Sequence, residues 1–269
     1  MSIRADILNK LIRIGIRISF VRSYLYKMAL KRKLRGSKLG RMTLANLNSI
    51  MEERTYYHDE VAKQNNILDY TKVFWESDFG YLWYDRTFGK QNSNVYFKFA
   101  MEKIITNNYT SFLDVGCGWG ELCSLVSQIP HMKRVVGIDV SADVVLQASK
   151  RNKKSNIEFF HKNLFDLNDN SDIVTCIGVI DYVTAAEVRD FLVKLITVAK
   201  HEVIIVNSLR KIPFDASLLL SESKKILLYD EGYVHPLNRI LESLKVLYNF
   251  KFSIEKYGSD SVLVNVIKL

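Results

Sequence analysis

Two carboxylates bracket the stretch of this chain best suited to chemistry. Asp114 closes a short apolar run, Phe112-Leu113, and glycines follow at alternate positions, Gly116, Gly118 and Gly120. Asp139 closes a second apolar run, Arg134-Val-Val-Gly-Ile-Asp139, and stands 25 positions beyond Asp114. Between them Leu122 to Val126 reads as a helix. Strand, glycine turn and helix together let backbone approach a ligand closely, because glycine carries no Cβ and tolerates positive φ. An acid about 20 residues past such a turn, at the end of the second strand, is placed to bind ribose. The spacing here is G-x-G-x-G, with Glu121 and Leu122 where a dinucleotide fingerprint needs its third glycine. Asp114 directly before the turn also suits a cation better than a diphosphate. The pattern therefore predicts a ligand that contains a nucleoside and carries positive charge.

The elements that must hold these residues follow in alternation. Predicted strands are Ser111 to Val115, Arg134 to Asp139, Ile157 to His161, Asp172 to Ile177 and Glu202 to Asn207. Predicted helices run over Asn94 to Ile105, about Gly120 to Gln128, about Ala142 to Lys150 with Ser141 as N-cap, Ala185 to Ala199, and about Leu237 to Val246. Alternating β and α segments of this length imply a parallel sheet with helices on both faces. The end of the chain differs. Phe250, Phe252 and Ile254 alternate with polar residues, a turn lies at Gly258-Ser-Asp260, and Val262 to Ile267 completes a hairpin, so one strand must run antiparallel.

The run Leu113-Asp114-Val115-Gly116-Cys117-Gly118-Trp119-Gly120, with Val136-Gly137-Ile138-Asp139, resembles the class I S-adenosylmethionine-dependent methyltransferases. The resemblance covers roughly residues 94–269. It extends to Asn156–Leu167, similar to that family's third strand and adenine-binding turn, and to Ser171–Val183, similar to its fourth strand and following motif. It implies a doubly wound, mostly parallel seven-stranded α/β sheet, Rossmann-like, with an antiparallel last strand, here preceded by a helical N-terminal extension. It also implies S-adenosyl-L-methionine as cofactor. Gly116 and Gly118 would pass under its amino-acid part and Asp139 would take both ribose hydroxyls. Asp114, Cys117, Val140, Asn163, Leu164 and Gly178 would complete its surroundings. Asn163 stands where the family usually has Asp, and its carbonyl can accept from the adenine amine.

Methyl transfer asks a protein mainly for alignment and exclusion of water. A hydroxyl acceptor must also lose its proton, which a nearby base assists. Reacting atoms lie outside the carboxyl ends of the strands in an open parallel sheet, and two candidate bases are expected there. Asp181 follows the fourth strand in Gly178-Val-Ile-Asp181-Tyr182. His235 precedes the helix that Pro236 would open. The same positions also suit a helix cap or a structural contact, and an amine acceptor needs no dedicated base. No His, Cys and carboxylate spacing suggests a metal. The three cysteines, Cys117, Cys123 and Cys176, read as reduced thiols of a cytoplasmic protein.

The 269 residues carry a net charge of +9, but its distribution is uneven. Residues 1–41 contain 12 Lys or Arg and one acid, Asp6, leaving 26 bases and 28 acids in the remainder. Such asymmetry describes an interaction surface rather than a fold. Ile7, Leu11, Ile14, Ile18, Val21, Leu25 and Met28 recur at spacings of four and three, an amphipathic helical stripe. Strand-like alternation over Ile12 to Phe20 competes with it over a shorter span. Arg13, Arg17 and Arg22 interrupt any signal-peptide core or membrane span. Three readings of residues 1–45 stay open: a helix lying on an anionic membrane surface, which we favour; packing on its own fold or a second subunit; and an arm on RNA phosphates. Residues 46–93, dense in Phe, Trp and Tyr between Phe74 and Phe88, read as a cap before the domain at 94–269. The expected protein is an S-adenosylmethionine-dependent O-methyltransferase, cytoplasmic and peripheral on the inner membrane face. Its acceptor would be a small molecule, a sugar or glycan, or a lipid-linked group. RNA methylation and a non-catalytic subunit are the alternatives.

Overall fold

The computed structural model describes residues 94–209, 212–227, 231–257 and 261–269. These belong to a unit that begins at Thr87. The expected basic segment 1–45 and aromatic cap 46–93 lie outside the described residues.

Helix α1 (Asn94–Asn107) leads into strand β1 (Ser111–Val115). Then come α2 (Glu121–Val126), β2 (Arg134–Asp139), α3 (Ala142–Arg151), β3 (Ile157–His161), β4 (Ser171–Ile177), α4 (Val188–Val198) and β5 (Ala199–Ser208). The chain ends in α5 (Phe214–Leu218), β6 (Lys224–Leu227), β7 (Glu231–Val234), α6 (Leu237–Lys245), β8 (Phe250–Tyr257) and β9 (Ser261–Lys268). One seven-stranded sheet has the order β3-β2-β1-β4-β5-β9-β8. Its first five strands pair in parallel, and β9 runs antiparallel to both neighbours. The sheet is the one predicted, antiparallel strand included.

Two cores sandwich it. Leu113, Val115, Val136, Ile138, Val174, Cys176, Val203 and Ile205 face α4 and α6 on one side. Phe112, Val135, Ile173 and Ile204 face α1 and α2 on the other. Apolar side chains at successive positions explain why these strands read as unbroken hydrophobic runs. One acid interrupts β5. Glu202 is 1% exposed and accepts from the Tyr109 hydroxyl at 3.0 Å, with the Lys103 ammonium 3.7 Å away. A buried carboxylate is tolerable when paired in this way. At the same ends of the strands, burial pushes the Asp172 carboxyl upward, but the Thr110 amide, Lys200 and the Ser111 hydroxyl and amide outweigh it. They hold it well below the usual range.

Element ends shift by one to three residues from expectation, and one cap differs in kind. α4 begins at Val188 rather than Ala185, because the Thr184 carbonyl accepts from both Glu187 and Val188 in a preceding turn. β5 starts at Ala199, directly at the end of α4, and so absorbs three residues expected before it. Ser141 occupies the N-cap of α3 but its side chain makes no capping bond. The β6–β7 hairpin, a separate two-stranded sheet, and α5 have no counterpart in the sequence reading.

Candidate active site

The glycine loop joins β1 to α2 over the edge of β2. The amides of Gly116 and Cys117 both donate to the Ile138 carbonyl, at 2.8 and 2.9 Å. Gly116 takes φ +72°, and a Cβ there would lie 2.2 Å from Cγ2 of Val179. Steric room and backbone hand both demand glycine at this point. Gly120 instead makes room for its own core, since a Cβ would meet the Phe159 ring at 2.4 Å. Trp119, in the same loop, is buried. The Arg151 guanidinium sits 3.9 Å over its ring, and its carbonyl accepts from Asn152 at 3.2 Å.

Asp139, half-buried at the end of β2, is oriented through both oxygens. Oδ2 accepts from the Gly118 amide at 3.1 Å and Oδ1 from the Ser141 amide at 2.9 Å. Burial raises its pKa, against which the Ser141, Gly118 and Val140 amides and His161 favour the charged form. A carboxylate offers about four lone-pair sites, so two amides leave capacity for a diol. Ser141 thus serves the site through its backbone, in place of the side-chain capping role expected of it.

Asp114 is only 6% exposed. Its Oδ1 accepts from the Thr175 hydroxyl at 2.7 Å and its Oδ2 faces the Cys123 thiol at 3.9 Å. Burial raises its pKa to about 7; Thr175 opposes this and the charge of Asp139 adds to it. A cation brought nearby would favour the ionised form. The thiols of Cys117, Cys123 and Cys176 are all pushed well up by burial and neighbouring acids. They behave as small apolar groups rather than nucleophiles.

Beyond β3, Asn163 caps a single 3₁₀ turn, Leu164–Asp166, its side-chain oxygen accepting from the Phe165 amide at 3.2 Å. The oxygen expected to receive an adenine amine already has one partner and keeps one lone pair. Leu164 is buried at 2% exposure, while Val140 and Asn163 are half-buried. Across the sheet, Gly178 has φ +68°, and a Cβ built on it would meet nothing within 4 Å. The open space at Gly178 and the spare acceptor capacity of the oriented Asp139 are compatible with a nucleoside-containing cofactor.

The fourth-strand motif continues into a 3₁₀ turn, Ile180–Tyr182, in which Asp181 is 4% exposed. His235, far off in sequence, packs against it. Its Nε2 lies 3.0 Å from the Ile180 carbonyl and its Nδ1 2.8 Å from the Ser223 hydroxyl. A carbonyl only accepts, so Nε2 carries the proton and Nδ1 accepts from Ser223. Burial lowers the pKa of His235 to about 4, although the Ile180 and Val183 carbonyls favour its protonation. The tertiary structure thus brings Asp181 and His235 to one place, with both imidazole nitrogens engaged. Thr175, Val179 and Ser223 escaped the sequence reading. Thr175 left a signal, a lone hydroxyl in an apolar strand; the others left none. Among the described residues no group of His, Cys, Asp and Glu has the arrangement of a metal site.

Sheet order, antiparallel β9 and the oriented carboxylate after β2 define a Rossmann-like methyltransferase fold. Residues 112–202 match the family model described as a methyltransferase domain, and this domain is similar to the class I S-adenosylmethionine-dependent methyltransferases. The mitochondrial ubiquinone biosynthesis O-methyltransferase of Saccharomyces cerevisiae is 35% identical over 78 residues, 27% of this chain and 25% of that protein. The cyclopropane-fatty-acyl-phospholipid synthase of Escherichia coli K12 is 29% identical over 86 residues, 32% of this chain and 22% of that protein. The matches thus span about a quarter of these curated relatives. Among solved structures, magnesium protoporphyrin IX methyltransferase of Synechocystis PCC 6803 superposes with a TM-score of 0.54 at 16% identity. That match covers 74% of this chain and 95% of the other.

Proposed function

We propose that this protein transfers a methyl group from S-adenosyl-L-methionine to a hydroxyl of a small-molecule, sugar, glycan or lipid-linked acceptor. When bound, the cofactor supplies a methyl group already activated by its positive sulfur. The chain's own residues bind and orient. Asp139 would hold the ribose hydroxyls, with its oxygens pre-set by Gly118 and Ser141. The Gly116–Gly118 loop and Cys117 would back the amino-acid part. Val140, Asn163 and Leu164 would flank the adenine, Gly178 would leave room above β4, and Asp114 would favour positive charge nearby. Asp181, on the turn after β4, is the group assigned to receive a hydroxyl proton. Asp139 carries this reading: its two amide bonds fix a carboxylate at the edge where two loops meet. Titration calorimetry with S-adenosylmethionine tests it, and an unmodified chain that shows no uptake would sink it.

The acceptor class draws on the names of two relatives, one an O-methyltransferase of ubiquinone biosynthesis and one a phospholipid-modifying synthase. Both point to lipophilic acceptors, and the 12 basic residues within 1–41 suit an anionic membrane surface. We propose a cytoplasmic protein that is peripheral on the inner membrane face. The same charge supports a second reading, in which the arm binds RNA and the acceptor is a nucleotide. Removing residues 1–35 and measuring sedimentation with anionic vesicles and with RNA separates the two. Loss of vesicle binding alone supports the first, loss of RNA binding alone the second, and no change in either removes both.

A further inference from the structure

His235 is 2% exposed and stacks on Tyr233, ring centroids 5.6 Å apart. It lies between the β6–β7 hairpin and α6, and β7 packs against the Ile180–Tyr182 turn. Because the ring is neutral over the ordinary pH range, its single N–H goes to the Ile180 carbonyl and its lone pair to Ser223. That carbonyl belongs to the residue next to Val179. The Val179 side chain fills the space where a Cβ on Gly116 would stand. A continuous path of contacts therefore runs from Ser223 through His235, Ile180 and Val179 to the first glycine of the loop.

We propose that His235 is a positioning residue of the cofactor site: without touching the ligand, it holds the 179–182 turn so that Val179 braces the glycine loop at Gly116. The hairpin is thereby built into the cofactor site as a support. A proton-accepting role for His235 toward an acceptor would require the Ser223 hydroxyl to leave Nδ1, since Nε2 already carries its proton. This inference rests on the cofactor reading given above, and its test is read separately.

S-adenosylhomocysteine is the probe, titrated calorimetrically into the full chain, with thermal melting of each variant in parallel. His235→Ala is expected to weaken binding about tenfold and Val179→Ala about fivefold, while the double variant stays near tenfold, because both act on one brace. His235→Gln, whose amide can still donate to the Ile180 carbonyl, is expected to recover binding to within about threefold of the unmodified chain. Amide exchange over residues 176–184 should rise in His235→Ala and return in His235→Gln. Should the alanine variant fail to fold, His235→Leu, which keeps the volume and lacks the N–H, replaces it in the cycle. Should that fail too, Ser223→Ala, which removes only the bond to Nδ1, is expected to weaken binding about threefold. Unchanged affinity in the variant used, effects of His235 and Val179 that simply add, or no recovery with glutamine overturns the proposal. Absence of binding by the unmodified chain instead overturns the cofactor reading.

Discussion

Thr175 and Asp114 face each other across β4 and β1, hydroxyl to carboxylate at 2.7 Å, beneath the glycine loop. The carboxyl is buried and its pKa is raised to about 7 from 3.8. The folded protein therefore binds a proton that the unfolded chain has released between about pH 4 and 7. This contribution to stability is present at low pH and is lost as pH rises through about 7. His235 acts in the opposite sense over nearly the same window. Its pKa falls from 6.5 to about 4, so its contribution is present above 6.5 and is lost as pH falls through about 4. At the acid limit that loss is about 3 kcal/mol.

Opposed slopes should leave the unmodified protein with a shallow melting profile between pH 4 and 7, and single substitutions should unmask each. Asp114→Asn is expected to tilt the profile toward a melting temperature that rises with pH, relative to the unmodified chain. His235→Gln should tilt it toward one that falls with pH. Melting curves at half-unit pH intervals check this, and parallel profiles for the two variants would contradict it.

Asp139→Ala removes the acceptor for two loop amides and for the diol, and is expected to weaken S-adenosylmethionine binding about 100-fold, or about 2.7 kcal/mol. Asp139→Asn should lose nearly as much, since its NH₂ group must face one of the two donating amides. Calorimetry measures both; near-native affinity in either would show that the ribose is held elsewhere.

Two left-handed glycines should respond differently to alanine. At Gly178 the new methyl meets nothing within 4 Å, so only backbone strain of roughly 1–2 kcal/mol is expected. At Gly116 the same strain is joined by a clash with Val179, adding about 1–3 kcal/mol. Val179→Ala should recover part of the second loss and none of the first. Urea unfolding provides the comparison.

Tyr109→Phe withdraws the shortest hydrogen bond to the buried Glu202, leaving it Asn107 at 3.4 Å and Lys103 at 3.7 Å. A loss of about 1–3 kcal/mol is expected in urea unfolding, with S-adenosylmethionine affinity unchanged because the cluster lies at the amino ends of the parallel strands and the candidate site at their carboxyl ends. A loss of affinity would tie this cluster to the site.

Much of the sheet was legible because local pattern and global role agree. The apolar run Arg134–Asp139 coincides with the observed strand, since strands buried on both faces must be apolar throughout; Ile157–His161 also coincides with its strand, but as a half-exposed edge. Helix ends were less legible. α4 loses three expected residues to the Thr184 turn, a choice made by packing rather than propensity. The β6–β7 hairpin, with strands of only four residues each, has too little periodicity to separate it from a loop.

Of the candidate site, the sequence by itself determined the glycine turn, the two acids and their spacing, because those requirements lie within one stretch of backbone. Only the tertiary structure decided what the residues do to one another. It set Asp139 by amides from two loops, gave Asp114 its partner on β4, and seated His235 against a carbonyl 55 residues away in sequence. Hydrogen bonds and desolvation depend on distances between segments remote along the chain. Residue type and spacing name the groups available, but burial and partners fix which of them stay charged, neutral or free.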